Sequence, residues 1–558
     1  KHFILRVGNT VMQSSCGVDR IVIRFSRLCE IITNVLGVKI MNLESRPLRL
    51  LPAIILFAVA GILLMNYVTD DTYIHMCYAR NLVEHGEISF NVGDPTYGAT
   101  SPLWIFLIAG LIKLGIAPLL ATKILGISAG LLTLFIFDKI LAAFSVPASW
   151  RWWGLLLGAS DAWFLRWSFS GMETPLAGVF LLLLLMPAII PSVSWLAWGI
   201  VAGLATLVRP EFMLLWPVAL YWHLWASYEK DFRSRPLFKS ILGFFLIYGP
   251  WLAYANSAFG RMTPETAAAK SYGLDFDLFS LAESVVRSIE ELGAIQGILW
   301  LAIIPLLIIV ARSGERISGT PTYKNRVVAA LIAVSWVAVL VGGYALKKVW
   351  IISRYLSPLL PVILLTTLGL IAFLRQRLSD NGARVFNIVL GVAVGLTICW
   401  NGFVTVAMVK PHADKFSVGV EECFIGTGQW ISENTPEGSL IAAHDIGALG
   451  WVSNRKIIDL AGLVSPEILE LGRNVGFETM VASGAWLGAT KPDYVYDRTD
   501  GPPRWDGVTL HGIKFELIRQ CTVQGVGLRE SKPMIYALYK LEREQVTDEQ
   551  QSPVPASE

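Results

Sequence analysis

Apolar stretches recur along the first 409 residues, each closed by a short polar or basic one, and their length matches a bilayer. A membrane-crossing helix needs about 20 mostly apolar residues. Candidate spans fall near 50–68, 118–138, 152–168, 172–187, 195–208, 211–228, 238–256, 295–311, 327–345, 355–374 and 385–409. Beyond residue 410 the pattern shortens into alternating strand and helix signals. Leu440–His444, Lys456–Leu460 and Asp493–Tyr496 read as strands, and Glu421–Asn434 and Pro466–Gly472 as helices. The expected architecture is an α-helical polytopic membrane protein of about eleven spans, followed by a soluble α/β domain.

Loop charges orient the spans, because Lys and Arg accumulate in short cytoplasmic loops. Lys230, Arg233, Arg235 and Lys239 mark one such loop, Arg312, Arg316, Lys324 and Arg326 the next, and Arg375, Arg377 and Arg384 a third. Each is two spans from its neighbour, and Arg46 and Arg49 put the N-terminus on the same side. Pro102–Leu114 is apolar, but counting it as a span would reverse the parity of everything after it. It is also short and holds Lys113, so it reads as a helix lying in the outer interface. Residues 69–117, 257–294 and 346–354 then form outer loops, and the C-terminal domain is extracytoplasmic in a plasma (inner) membrane protein.

Four segments follow. Residues 1–49 are a basic N-terminal segment, either an amphipathic helix over Arg20–Ile40 or an over-extended start ahead of Met41. Residues 50–409 are the membrane domain, 410–545 the outer α/β domain, and 546–558 a polar, Pro-containing disordered tail.

Composition sharpens this picture. Only 16% of the 558 residues are charged, against about 25% in soluble domains. Of the 89 charged side chains, 35 fall after residue 409. A soluble single-domain enzyme, a coiled coil and a disulfide-framed secreted module are excluded. A net charge of +3 gives no reason to expect a nucleic-acid partner. The six cysteines lack the spacing of a zinc site. Cys423 and Cys521 lie in the outer domain, where a disulfide and two free thiols are both open readings.

Candidate chemistry concentrates after the first span, at Asp70-Asp71-Thr72-Tyr73-Ile74-His75. Asp70 is expected to cap the helix that follows. That helix puts Ile74, Tyr78 and Leu82 on one stripe and is expected to lie along the interface. Glu173, Arg209 and Glu211 stand where spans meet the outer face, and charges at that depth tend to face a cavity. Arg209 is also suited to pair with either glutamate. Arg354 begins a span on the outer side, placed to fork onto phosphate oxygens or to anchor among headgroups, with Lys347 and Lys348 in the same loop. Tyr97, Ser101 and Trp104 follow in the same loop, where an interfacial aromatic belt is the ordinary explanation for Trp. His75 reads as a packed residue, and His444-Asp445 as a turn after a strand.

The run from Asp70 through Tyr78-Ala79-Arg80-Asn81-Leu82-Val83, Phe90-Asn91-Val92-Gly93 and Tyr97-Gly98-Ala99-Thr100-Ser101-Pro102-Leu103-Trp104 resembles the first outer loop of GT-C glycosyltransferases. It is most similar to the branch of the mycobacterial terminal β-arabinofuranosyltransferase and the pilin arabinosyltransferase. Shorter matches are Gly171-Met172-Glu173-Thr174, Arg209-Pro210-Glu211, Arg354-Tyr355-Leu356-Ser357-Pro358, Asp445-Ile446-Gly447 and Asp459-Leu460-Ala461-Gly462-Leu463. The resemblance spans nearly everything from residue 50 to about 500.

It implies inverting transfer of one sugar, arabinofuranose in that branch, from a polyprenyl-phosphate donor. The acceptor is a cell-envelope glycan or glycoprotein at the outer face. Such a displacement needs a base for the acceptor hydroxyl. The family's catalytic aspartate falls on Asp70-Asp71, with Asp70 expected as base and Asp71 orienting the acceptor. Arg354, Lys347 and Lys348 would hold the donor phosphate, and Glu173, Arg209, Glu211, Tyr97 and Ser101 the sugar or acceptor. The residues assign no cofactor. A divalent cation between Asp70, Asp71 and Glu173 is left open, as some relatives use one and others do not. The competing reading is a transporter or flippase of lipid-linked sugars, for which paired broken helices and internal symmetry would be the sign.

Overall fold

The computed structural model describes residues 49–190, 193–227, 234–265, 277–294, 308, 321–349, 351–526 and 532–543. The Arg20–Ile40 segment, most of the 295–311 span, the loop cations Lys230, Arg233, Arg312 and Arg316, and the 546–558 tail lie outside the described residues.

Among the described residues, five helices are long and apolar enough to cross a membrane: Pro118–Ala143, Ser234–Phe259, Lys324–Leu346, Ser353–Arg375 and Asp380–Asn434. Leu51–Ile62, Pro102–Lys113, Trp195–Val208 and Phe212–Ala226 are apolar but shorter. At the candidate spans the described helices are a mixture of long, short and broken ones. The protein is nevertheless a multi-pass membrane protein. Val385, Ile388, Val389, Val392, Leu396 and Trp400 leave an exposed apolar stripe along one face of the last helix, which water would not tolerate at that size.

The break in the 152–168 candidate has a local cause. Ala148–Ser160 stops at Asp161, whose carboxylate accepts the N–H groups of Trp163 at 3.1 Å and Phe164 at 2.8 Å and so starts a new helix, Ala162–Phe169. Hydropathy averages over that cap. Four residues later the chain turns again, and Ala162–Phe169 meets Thr174–Ala188 at 115°. Gly171, with φ +89°, makes this turn, and an added Cβ there would lie 2.7 Å from the Thr72 side chain.

No linker separates the apolar helices from the C-terminal sheet domain at residue 410. Asp380–Asn434 is one 55-residue helix, on the order of 80 Å at 1.5 Å per residue and far longer than a hydrocarbon core of about 30 Å. Two π-helical stretches, Thr405–Val409 and Val420–Ile425, interrupt its regular winding. Its end carries a six-stranded mixed sheet of order β2-β1-β3-β6-β5-β4. The strands are β1 (Leu440–Ala443), β2 (Lys456–Asp459), β3 (Tyr494–Thr499), β4 (Thr509–Leu510), β5 (Ile513–Val523) and β6 (Met534–Arg543). β1 runs parallel to β2 and β3, and the rest pair antiparallel. The sequence reading found the parallel half and missed β4, β5 and β6. The alternation Ile513-Lys514-Phe515-Glu516-Leu517 was the available signal. Cys423 and Cys521 form a disulfide, fixing the long helix to β5.

Candidate active site

The chain leaves Leu51–Ile62, turns extended at Thr69 (φ −85°, ψ 153°) and enters the helix Asp70–Glu84. Thr69, not Asp70, occupies the cap position. Asp70 is already inside the helix, and its carboxylate reaches the outer domain. It accepts the backbone N–H groups of Gly447 and Ala448, each at 2.8 Å. Desolvation, with the Asp445 charge next in size, pushes its carboxyl up from 3.8 to about 7, against those two N–H bonds and with a further push from Asp71. The expected cap is thereby corrected: Asp70 serves a contact between domains. The helix is also not a free interfacial one, since it packs on Pro102–Lys113 and on the Gly447–Ser453 helix.

Asp71 points the other way, into a hollow of about 290 Å³. Its side chain keeps 37% exposure and pairs with Arg354. The hollow has two kinds of lining. Asp71, Glu173, Arg209, Glu211, Lys347 and Arg354 supply charge, while Leu214, Val339, Leu340, Val349, Met172 and Ile74 supply apolar wall. Leu463, from the loop after β2, adds a contribution from the outer domain.

The charges are linked in a ladder. Arg209 bonds Glu211 through Nη2 at 3.0 Å and Nε at 3.4 Å, and its Nη1 lies 3.5 Å from Glu173. The same Nη1 donates to the backbone carbonyl of Arg354 at 3.0 Å. The Tyr344 hydroxyl donates to Glu211 at 2.7 Å. Tyr355 lies between the two guanidinium groups, 5.4 Å from Arg209 and 5.3 Å from Arg354. Three acids and three bases thus line the hollow, but they are not equally engaged. Among the described residues Lys347 forms no ion pair, and Glu173 Oε2 accepts no hydrogen bond.

The helix Ala162–Phe169 braces both halves of the Asp71–Arg354 pair. Trp167 donates its indole N–H to Ser353, next to Arg354, at 3.1 Å. Arg166 donates to the Tyr67 hydroxyl at 2.6 Å, just ahead of the acidic pair.

Of the residues expected in the site, Asp71, Glu173, Arg209, Glu211, Arg354 and Lys347 converge on this hollow, and His75 joins them. Asp70, Lys348, Tyr97 and Ser101 do not line it. The Tyr97 hydroxyl accepts the Trp251 indole N–H at 2.7 Å, Ser101 is fully buried, and Trp104 donates to the Gly171 carbonyl. Between Tyr97 and Ser101, however, Gly98, Ala99 and Thr100 do line it. Within this motif the small residues face the hollow, while Tyr97 and Trp104 are held by hydrogen bonds elsewhere. Tyr344 and Tyr355 were missed, for they sit within or beside apolar spans and carry no charge to draw attention.

Asp70, Asp71 and Glu173 do not meet at one point in this structure. The three are engaged separately by backbone N–H groups, Arg354 and Arg209, and no group of three metal-ligating side chains occurs among the described residues. His444 and Asp445 lie in a structural network of the outer domain. His444 pairs with Asp497 at 3.1 Å, and Asp445 accepts from Tyr536 at 2.6 Å and Arg498 at 3.2 Å.

Fold and site together define a multi-pass helical membrane protein whose half-ionic, half-apolar hollow lies beneath a C-terminal sheet domain. That fold is shared with ArnT from Cupriavidus metallidurans. Its apo crystal structure superposes with a TM-score of 0.53 at 12% identity, covering 94% of this chain and 98% of that one. The ArnT structure bound to undecaprenyl phosphate gives 0.50 at 14% identity, covering 88% and 97%. A family model described as a domain of unknown function, DUF8728, matches residues 417–539. No curated protein sequence matches the chain.

Proposed function

We propose that this protein is an inverting glycosyltransferase that takes one sugar, arabinofuranose, from a polyprenyl-phosphate donor. It transfers it to a cell-envelope glycan or glycoprotein on the outer face of the plasma membrane. One observation carries this reading: a solvent-reachable carboxylate, Asp71, lies against the guanidinium of Arg354 in a hollow with both charged and apolar lining. A donor that is phosphate at one end and isoprenoid at the other needs both kinds of lining. The ArnT fold, with undecaprenyl phosphate bound in one of its structures, supports the same class of ligand. The Cys423–Cys521 disulfide supports an oxidising, extracytoplasmic side for the outer domain. The pentose rests on the resemblance of the first outer loop.

In the proposed reaction the acceptor hydroxyl oxygen attacks the anomeric carbon from the face opposite the phosphate. Its proton passes to Asp71, the new C–O bond forms, and the bond from the anomeric carbon to the phosphate oxygen breaks. Polyprenyl phosphate leaves with one more negative charge than it carried in the donor. Arg354 and Lys347 stabilise that charge, so no acid is needed at the leaving oxygen. The base is therefore Asp71 rather than Asp70, because Asp70's carboxylate is turned to the outer domain. An incoming phosphate competes with Asp71 for Arg354, so donor binding loosens that ion pair. Glu173 lines the same hollow, and Arg209 holds Glu173 and Glu211 in place.

The test is turnover of Asp71→Asn with a synthetic polyprenyl-phosphate arabinofuranose. The variant is expected to bind undecaprenyl phosphate and to form no glycosidic bond. Wild-type turnover in Asp71→Asn would refute the assignment, and sugar crossing vesicles without a new bond would favour transport instead.

A further inference from the structure

We infer that the outer domain positions the reacting carboxylate, through a rigid contact between Asp70 and the Gly447-Ala448 backbone. The inference builds on the reading of Asp71 as base and assigns Asp70 as a positioning residue. Both Asp70 oxygens are taken, Oδ2 by the Gly447 N–H and Oδ1 by the Ala448 N–H. A carboxylate held at both oxygens by backbone cannot rotate, and neither can the first turn of the helix that carries it. Asp71 is the next residue on that turn. Locking Asp70 outward therefore sets the direction in which Asp71 leaves the helix.

The close approach is specific to glycine. A Cβ on Gly447 would lie 2.0 Å from the Asp70 carbonyl oxygen and 2.8 Å from Oδ2, and the backbone on either side would have to move. The same surface is held at several further points. Asn91 bonds Ile457 twice, donating to its carbonyl at 2.9 Å and accepting its N–H at 3.0 Å, as a neighbouring strand would. Arg80 stacks 4.6 Å above Trp451 and donates to its carbonyl and to Asn454. Lys456 pairs with Asp94 at 3.2 Å. Gly98, in the hollow, has the Leu463 carbonyl 2.5 Å from where a Cβ would be.

Leu463 connects this docking to the hollow a second way. Asp459, at the end of β2, accepts the N–H groups of Ala461 at 2.8 Å, Leu463 at 2.6 Å and Val464 at 3.2 Å. That tight turn presents Leu463 as wall of the hollow. The outer domain thus supplies both a surface of the site and the anchor for its base. An acceptor-holding module connected by a linker would need neither.

The test compares Asp70→Asn, Gly447→Ala and their double variant in the full chain. Turnover uses synthetic polyprenyl-phosphate arabinofuranose, and binding uses undecaprenyl phosphate. Positioning predicts that each single variant loses at least about 10-fold in kcat while lipid binding changes less than about 3-fold. The double variant should be no slower than the worse single, since both break one contact. Should Gly447→Ala not be recovered folded, Asn91→Ala loosens the same docking farther from the base. It should lower kcat by about 3-fold or more at unchanged binding. Wild-type kcat in these variants, or equal losses of kcat and binding, would overturn the inference. Asp71→Asn is assayed alongside. If it is inactive while Asp70→Asn and Gly447→Ala are wild-type, only the positioning role falls. If it turns over, the assignment of the base falls with it.

Discussion

Asp70 and Asp71 are neighbours in sequence with opposite surroundings. Asp71 opens into the hollow and faces Arg354, a side-chain partner that a phosphate can take away. Asp70 faces the C-terminal sheet domain and is gripped by backbone N–H groups of Gly447 and Ala448. A carboxylate with an exchangeable partner can do chemistry, whereas one whose partners are fixed can only hold structure. Residue type is the same at both positions, and the partners decide the role.

The largest effect expected from this contrast is at Asp71. Removing a general base costs about 10²–10⁴-fold, so Asp71→Asn should lose at least that in kcat in the turnover assay, with undecaprenyl phosphate still bound. Next is Arg354→Ala, which removes the charge that meets the departing phosphate. Losses of about 10²–10³-fold are usual for one such donor, and here kcat and lipid affinity should fall together. Arg354→Lys should recover part of the affinity, because a lysine keeps the charge and loses the fork.

Asp70→Asn should lose about 10-fold in kcat through positioning, and Asp70 should also show its role in stability. Its carboxyl is raised from 3.8 to about 7, so between those values the folded chain binds the proton more tightly than the unfolded chain. Stability from this group is present at the acid end of the window and is lost as pH rises through about 7, by a few kcal/mol at most. Asp70→Asn should flatten the thermal midpoint measured from pH 4.5 to 8. A residual slope should remain from Asp459, whose burial raises it in the same direction. A slope unchanged in the variant would remove Asp70 from the contact.

The smallest effect concerns the ladder and not the reacting pair. Glu211→Gln leaves Arg209 with only Glu173 as a carboxylate partner. It should cost on the order of 1–3 kcal/mol of stability while kcat changes little.

Much of this was legible in the sequence, but unevenly. Charges set within apolar surroundings are costly, so Glu173, Arg209, Glu211 and Arg354 stood out before any coordinates, and all four meet in the hollow. The acidic pair could be located but not divided, because nothing in Asp70-Asp71 tells which carboxylate will meet Gly447, 377 residues away. The aromatic members were misjudged for a related reason. Tyr97 and Tyr355 look equivalent in sequence, yet one supports the fold under Trp251 and the other lies between two guanidinium groups. The break at Asp161 was not legible because a helix cap inside an apolar run is a hydrogen-bond signal, invisible to hydropathy.

The central claim is that one hollow holds the donor phosphate and the base together. A density map of the full chain with undecaprenyl phosphate tests it most directly. The account predicts phosphate oxygens on Arg354 and Lys347, with Asp71 released from Arg354 and facing open space beside them. A headgroup seated elsewhere, with the Asp71–Arg354 pair intact, would contradict it.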